Sequence, residues 1–212
     1  MTYLKKIHKN FGKNNNTKFR EELLMGTRNL TCVIKDGDYK VAQYKVAQYG
    51  QWDGHPEGQG LIALNLLQNM ELEKLKEQVS KVEFISSREI DKMIDGVAGS
   101  WAKIYPEFSR DTGAEILSIV YNSEKPTKLC NEINFVTDSL FCEWAYVVDL
   151  DKNTFEVYEG FNQQPLEQFE RFYDIPSKDS GSNGFYQVKQ VATFDLNNLP
   201  TKDHFLQTLK KS

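Results

Sequence analysis

Hydrophobic and polar positions change period several times along the chain, and each change marks an element. Residues 29–36, NLTCVIKD, and 39–50, YKVAQYKVAQYG, are rich in β-formers and flank Asp36-Gly37, a dipeptide suited to tight turns, which predicts a hairpin. From Leu61 the apolar residues Leu61, Leu64, Leu67, Leu72, Leu75 and Val79 recur at roughly helical spacing, with a break at Asn69 and a second short helix beyond it. Ser86 or Ser87 is placed to cap a helix over 88–95 that stops at Asp95-Gly96. Thr112-Gly113-Ala114-Glu115 has the spacing of a capping box ahead of the apolar face Ile116, Leu117, Ile119 and Val120. A second hairpin is predicted from 143–150, EWAYVVDL, through the turn Asp151-Lys152-Asn153 to 154–158, TFEVY. A loop over 177–184, a strand over 185–194 and a closing helix over 201–210 complete the chain. Hairpins interspersed with helices predict an α+β fold, a mostly antiparallel sheet covered by helices.

Charge divides this picture unevenly. The 212 residues carry a net charge of −4, yet residues 1–25 hold six Lys/Arg against two Asp/Glu, which leaves −8 on the remainder. The first 25 residues lack a sustained apolar run and read as a flexible basic extension, ahead of a single α+β domain over 26–212. An acidic total argues against bulk nucleic acid as a partner, because phosphate binding shows as a basic surplus. No segment approaches the roughly 20 apolar residues of a membrane span, so no membrane partner is expected. Three cysteines, Cys32, Cys130 and Cys142, without C-x-x-C spacing fit a reducing cytoplasm rather than a disulfide framework or a zinc site. With three scattered histidines, no metal centre is expected either.

The sharpest chemical feature is the corner after the first hairpin. Trp52-Asp53-Gly54 leads into His55-Pro56-Glu57-Gly58-Gln59-Gly60, three glycines around a helix start. Pro56 suits the first helical position, where its missing N–H costs nothing. Free amides at Gly58 and Gly60 and the positive helix end would suit an anion, although neither a G-x-G-x-x-G nor a phosphate-loop motif is present. The structural alternative is that Asp53 caps the helix and the glycines serve a tight turn. Arg110-Asp111-Thr112-Gly113-Ala114 contains the Asp-Thr-Gly-Ala of aspartic proteases, but in one copy, with a predicted helix after it and no apolar strand before it. A helix cap with a ligand-facing Arg110 fits that pattern better. Cys142, at a strand start beside Glu143, is a candidate nucleophile with Glu143 or His55 as its partner, and Cys32 is another; small buried core residues are the competing reading for both thiols. Glu143, Asp149 and Glu159 read as a solvated acidic face or as a carboxylate pair for acid–base work or a divalent metal.

Three blocks, GTRNLTCVIKDGDYKVAQ with YGQWDGHPEGQG, SRDTGAEIL, and CEWAYVVDLDKNTFEVYEGF, resemble a family of hypothetical proteins from bacteria, phages and fungi. The resemblance covers roughly residues 26–161, and its most recognisable element is the Q-W-D-G-x-P-x-G-Q-G corner. It implies that Arg28, Trp52, Asp53, Arg110, Asp111, Glu143 and Trp144 belong to shared blocks, and it implies no mechanism. This chain departs from that pattern in the residues before Gly26 and in a tandem copy of YKVAQ over 39–43 and 44–48. A five-residue insertion is odd and would swap the two faces of a strand, so it must be absorbed by a bulge, a loop or a shifted pairing. The 44–48 copy is expected to keep the pairing that leads into the corner.

These readings converge on a small-molecule-binding domain of the cytoplasm. Its expected ligand is anionic and nucleotide-like: Arg28 and Arg110 neutralise charge, Gly58 and Gly60 bind an anion, Asp53 and Asp111 line the site, and Trp52 or Trp144 stacks on a base. In a phage setting such binding would sequester a host signal. A cysteine-dependent, amidohydrolase-like enzyme and a protein-interaction module are the alternatives. Cofactor and oligomeric state are left open by the sequence.

Overall fold

The computed structural model describes residues 26–37, 43–97, 99–176 and 184–210. Its centre is a five-stranded sheet built from β1 (Asn29–Ile34), β2 (Tyr44–Gly50), β5 (Trp144–Asp149), β6 (Thr154–Glu159) and β7 (Lys189–Asp195), in the order β2-β1-β5-β6-β7. Three of its four pairings are antiparallel, so the expected α+β class with a mostly antiparallel sheet holds. The exception involves the central strand, β5. β1 runs parallel to β5, with Asn29 beside Trp144 and Ile34 beside Asp149. All six residues of β1 are buried, as befits a strand flanked on both edges and covered on both faces.

The chain between β2 and β5 supplies the cover of one face. Its helices are α1 (Leu61–Gln68), α2 (Leu72–Val79), α3 (Ser87–Ile94), α4 (Trp101–Ile104) and α5 (Ile116–Asn122), and α6 (Lys202–Leu209) follows β7. A small parallel pair, β3 (Glu83–Phe84) with β4 (Lys128–Leu129), lies outside the main sheet. Strand alternation divides the core in two. Val33, Tyr146, Val148, Phe155 and Val157 pack with helical residues such as Leu64 and Leu117. Leu30, Cys32, Ala145, Val147 and Tyr158 face the other way, against Val136, Leu166 and Phe172 from irregular segments.

Local chemistry explains most of the boundaries. Ser86 caps α3 with the reciprocal Ser86–Glu89 bonds of a capping box, and Thr201 caps α6 through the His204 amide. The box expected at Thr112 does not form. Its hydroxyl donates to the Pro106 carbonyl instead, and a 3₁₀ turn over Gly113–Glu115 precedes α5. The last strand starts at Lys189 rather than at 185.

The duplicated strand has a definite register. Residues 44–48 lie in β2, where Val46, Ala47 and Gln48 face Val33, Cys32 and Thr31. Ile34 pairs with Tyr44, so Lys45 is left without a counterpart, and this one-residue bulge shifts the strand's parity. Of the other copy, only Gln43 is among the described residues, and its carbonyl accepts the Lys35 amide at 3.2 Å. The basic extension over 1–25 and most of the 177–184 loop lie outside the described residues.

Candidate functional site

The corner after β2 is held by backbone bonds to distant segments. The Gln51 amide donates to the Arg110 carbonyl at 2.8 Å, and the Gly54 amide to that of Thr27 at 2.8 Å. From the sheet below, the buried Tyr146 hydroxyl donates to the Gly54 carbonyl at 2.7 Å. Asp53 sits in the left-handed region at φ 52° and offers its carbonyl to the Gln59 amide at 2.8 Å. One π-helical turn, Pro56–Gly60, follows and runs directly into α1.

Two expectations for this corner change. The turn is capped by His55, whose Nδ1 accepts the Gly58 amide at 3.1 Å, and not by Asp53. The Gly58 amide also reaches the His55 carbonyl at 3.0 Å, and the Gly60 amide reaches it at 3.4 Å. Both amides therefore have acceptors within the turn, which removes the free donors that an anion would need there. The glycine at 58 has a packing role: a Cβ on it would lie 2.2 Å from the Asp53 carbonyl oxygen.

Around this turn the structure gathers most of the remaining candidates at one end of the sheet, where β1 and β5 begin. Trp52 is 42% exposed but firmly held. Its indole N–H donates to Asp111 Oδ1 at 2.9 Å, and its ring lies so close to Gly26 that a Cβ there would meet Cε3 at 2.8 Å. Glu143 accepts the Arg28 amide at 3.2 Å, while its own amide and that of Trp144 donate to the Arg28 carbonyl. Burial pushes the Glu143 carboxyl above its ordinary range, against the opposing pull of the Arg28 amide, the Arg28 charge and His55. Glu159, opposite Trp144 on β6, is raised by burial as well.

Arg28 stands apart. Its guanidinium lies over the Phe141 ring, 4.8 Å from the centroid. Its Nε is shielded from solvent without an acceptor, and among the described residues no carboxylate lies within ion-pair distance of it. Burial raises the Tyr49 phenol, and the charges of Arg28 and the exposed Arg110 oppose that shift, so both cations act on one ring at the edge of the corner. Behind them, Asn29 and Thr31 are fully buried with side-chain polar atoms that meet no partner among the described residues.

The cysteines are placed differently. Cys32 and Cys142 are both fully buried, and burial drives both thiols up, away from the thiolate that a nucleophile requires. Cys130 is partly exposed, but burial and the neighbouring Glu132 push its thiol up to about 12. Asp149, read from the sequence as part of a solvated acidic face or of a carboxylate pair, is 2% exposed and belongs to a cluster that the sequence did not reveal. Arg171 donates through Nε to Glu156 Oε2 at 2.7 Å, and through one terminal nitrogen to Glu156 Oε1 at 2.6 Å and Asp149 Oδ2 at 2.7 Å. Tyr158 adds a hydroxyl bond to Glu156 at 2.7 Å. A usable signal was Glu156 itself, a charge in the middle of a strand whose neighbours alternate as core.

No group of three or more His, Cys, Asp or Glu side chains among the described residues could hold a metal ion. No described helix is long and apolar enough to cross a membrane. Two shallow depressions of about 470 and 440 Å³, beside His204 and beside Trp101, are lined by no residue of the corner. The chain matches no protein-family model, no curated protein and no solved structure.

Proposed function

We propose that the protein binds a small anionic, nucleotide-like ligand at the end of the sheet where Arg28, Trp52, Arg110 and Glu143 gather. The observation that carries this reading is Arg28, a half-buried cation with a shielded Nε and, among the described residues, no carboxylate within ion-pair distance. Buried donors are nearly always paired, and the fork-shaped donors of a guanidinium fit a carboxylate or phosphate. Arg110 adds a second, exposed cation. Trp52 supplies an aromatic surface fixed in advance by Asp111 and Gly26, so a stacked base would not have to order it. Glu143 and Asp111 offer acceptors for donors on the same ligand. Gly58 and Gly60 shape the turn in this scheme and do not touch the anion.

Calorimetry and thermal shift against a panel of nucleoside mono- and diphosphates test the reading. Binding by the wild type that disappears in Arg28→Met, with the fold retained by circular dichroism, is the expected result. No response to any member of the panel, or binding unchanged in Arg28→Met, overturns it.

A further inference from the structure

The stretch over 165–176, PLEQFERFYDIP, covers the sheet face opposite the helices, and short i→i+3 backbone bonds shape it. The Glu170 amide donates to Glu167 at 2.9 Å and the Tyr173 amide to Glu170 at 3.1 Å. Leu166 and Phe172 turn inward, whereas Phe169 is 88% exposed and Tyr173 45% exposed. The only basic residue of the stretch, Arg171, is also turned inward and bonded to Glu156 and Asp149. Its outer surface therefore carries two open aromatic rings with Glu167, Glu170 and Asp174, and no cation of its own.

We propose that residues 1–25 of the same chain dock on this acidic aromatic patch. That segment holds six Lys/Arg against two Glu, together with Tyr3, Leu4, Ile7, Phe11 and Phe19, so its chemistry complements the patch in both charge and apolar content. Extended at roughly 3.3 Å per residue, a segment of this length spans tens of ångströms and can reach any face of such a domain. The other acidic region, around α2 and α3, is a poorer match because its acids are interspersed with Lys74, Lys76, Lys81, Arg88 and Lys92. Two of them are already paired there, Glu73 with Lys76 at 2.9 Å and Glu77 with Lys81 at 2.7 Å.

Zero-length carbodiimide coupling of the full chain, mapped by mass spectrometry, tests the proposal. The expected product is an intramolecular amide from Lys5, Lys6, Lys9, Lys13 or Lys18 to Glu167, Glu170 or Asp174. Its yield should fall severalfold at about 1 M salt, where charges are screened within a few ångströms. The double variant Glu167→Lys, Asp174→Lys, with its fold verified by circular dichroism, should lose the residual links to Glu170 as well. Absence of such links, an even spread over Glu73, Glu77 and Asp91, or links that join two copies each overturns it, the last in favour of a second copy on the patch.

Discussion

Arg28 and Arg171 flank the same sheet without belonging to it, and they have opposite surroundings. Arg171 meets two carboxylates and a tyrosine hydroxyl, and although burial works against its charge, the bonds to Glu156 and Asp149 hold its proton more tightly than usual. Arg28 has an aromatic ring beneath it and, among the described residues, no carboxylate within ion-pair distance. A paired arginine is a fastener, since its Nε and one terminal nitrogen are already committed. An unsaturated one keeps its donors for something outside the chain. The contrast extends to neighbours: Asn29 and Thr31, close to Arg28 in the chain, are buried without partners among the described residues, although the Tyr44 hydroxyl shows that such atoms also occur toward the opposite end.

The largest test of this contrast is Arg171→Met. It leaves Asp149 and Glu156 buried without their cation, and removing one side of a buried ion pair costs about 3–5 kcal/mol. Urea denaturation should show that loss; a change below about 1 kcal/mol would mean that the cluster does not fasten the 165–176 stretch to the sheet. Thr31→Val comes next. The substitution keeps the shape while deleting a buried hydroxyl that lacks a partner, and it should stabilise the fold by about 1 kcal/mol in the same assay. A loss instead would show that the hydroxyl is satisfied.

Arg28→Met should lower stability by no more than about 1 kcal/mol, the size of its ring contact, while abolishing ligand binding. A loss as large as that of Arg171→Met would make both arginines structural and erase the contrast. The smallest effect concerns Glu143, whose ordinary value is 4.5 and whose folded value is raised by burial. The folded chain then binds this proton more tightly than the unfolded chain, so this group makes stability fall as pH rises from 4.5 through the folded value. Glu143→Gln should flatten that fall in denaturation curves between about pH 4 and 7. An unchanged slope would assign the pH dependence to other carboxyls such as Glu159.

Much of the fold could be read from local pattern because its devices are local. Ser86 caps α3 with Glu89, the break at Asn69 separates α1 from α2, and the turn before Thr154 closes the β5–β6 hairpin with Asn153 at φ 54°. The parallel pairing of β1 with β5 was not legible, because it joins segments more than a hundred residues apart and leaves no mark on either strand beyond their apolar continuity. Thr112 misled for a related reason: its hydroxyl found the Pro106 carbonyl, an acceptor that only the folded backbone brings near. In the candidate site, the sequence pointed to Arg28, Trp52, Asp111 and Glu143, whose proximity depends on the strand ends meeting. It could not show that the amides of Gly58 and Gly60 are occupied, because their acceptor is the fold of the turn itself. Arg171 lay hidden because its partners sit on strands that precede it by more than a dozen residues.

The repeated YKVAQ gives β1 two candidate neighbours that are chemically indistinguishable, so nothing within the five letters can select between them. What breaks the tie lies downstream. Only the 44–48 copy is joined directly to Tyr49 and Gly50, and through Gln51 to the Arg110 carbonyl. The register of this edge is thus an arithmetic degeneracy resolved at its far end, as a zip is aligned by its stop and not by its identical teeth. A slip by five residues would bring Lys45 to the place of Gly50 opposite Asn29, where a Cβ would lie 2.6 Å from the Asn29 side chain, so a single glycine serves as the stop.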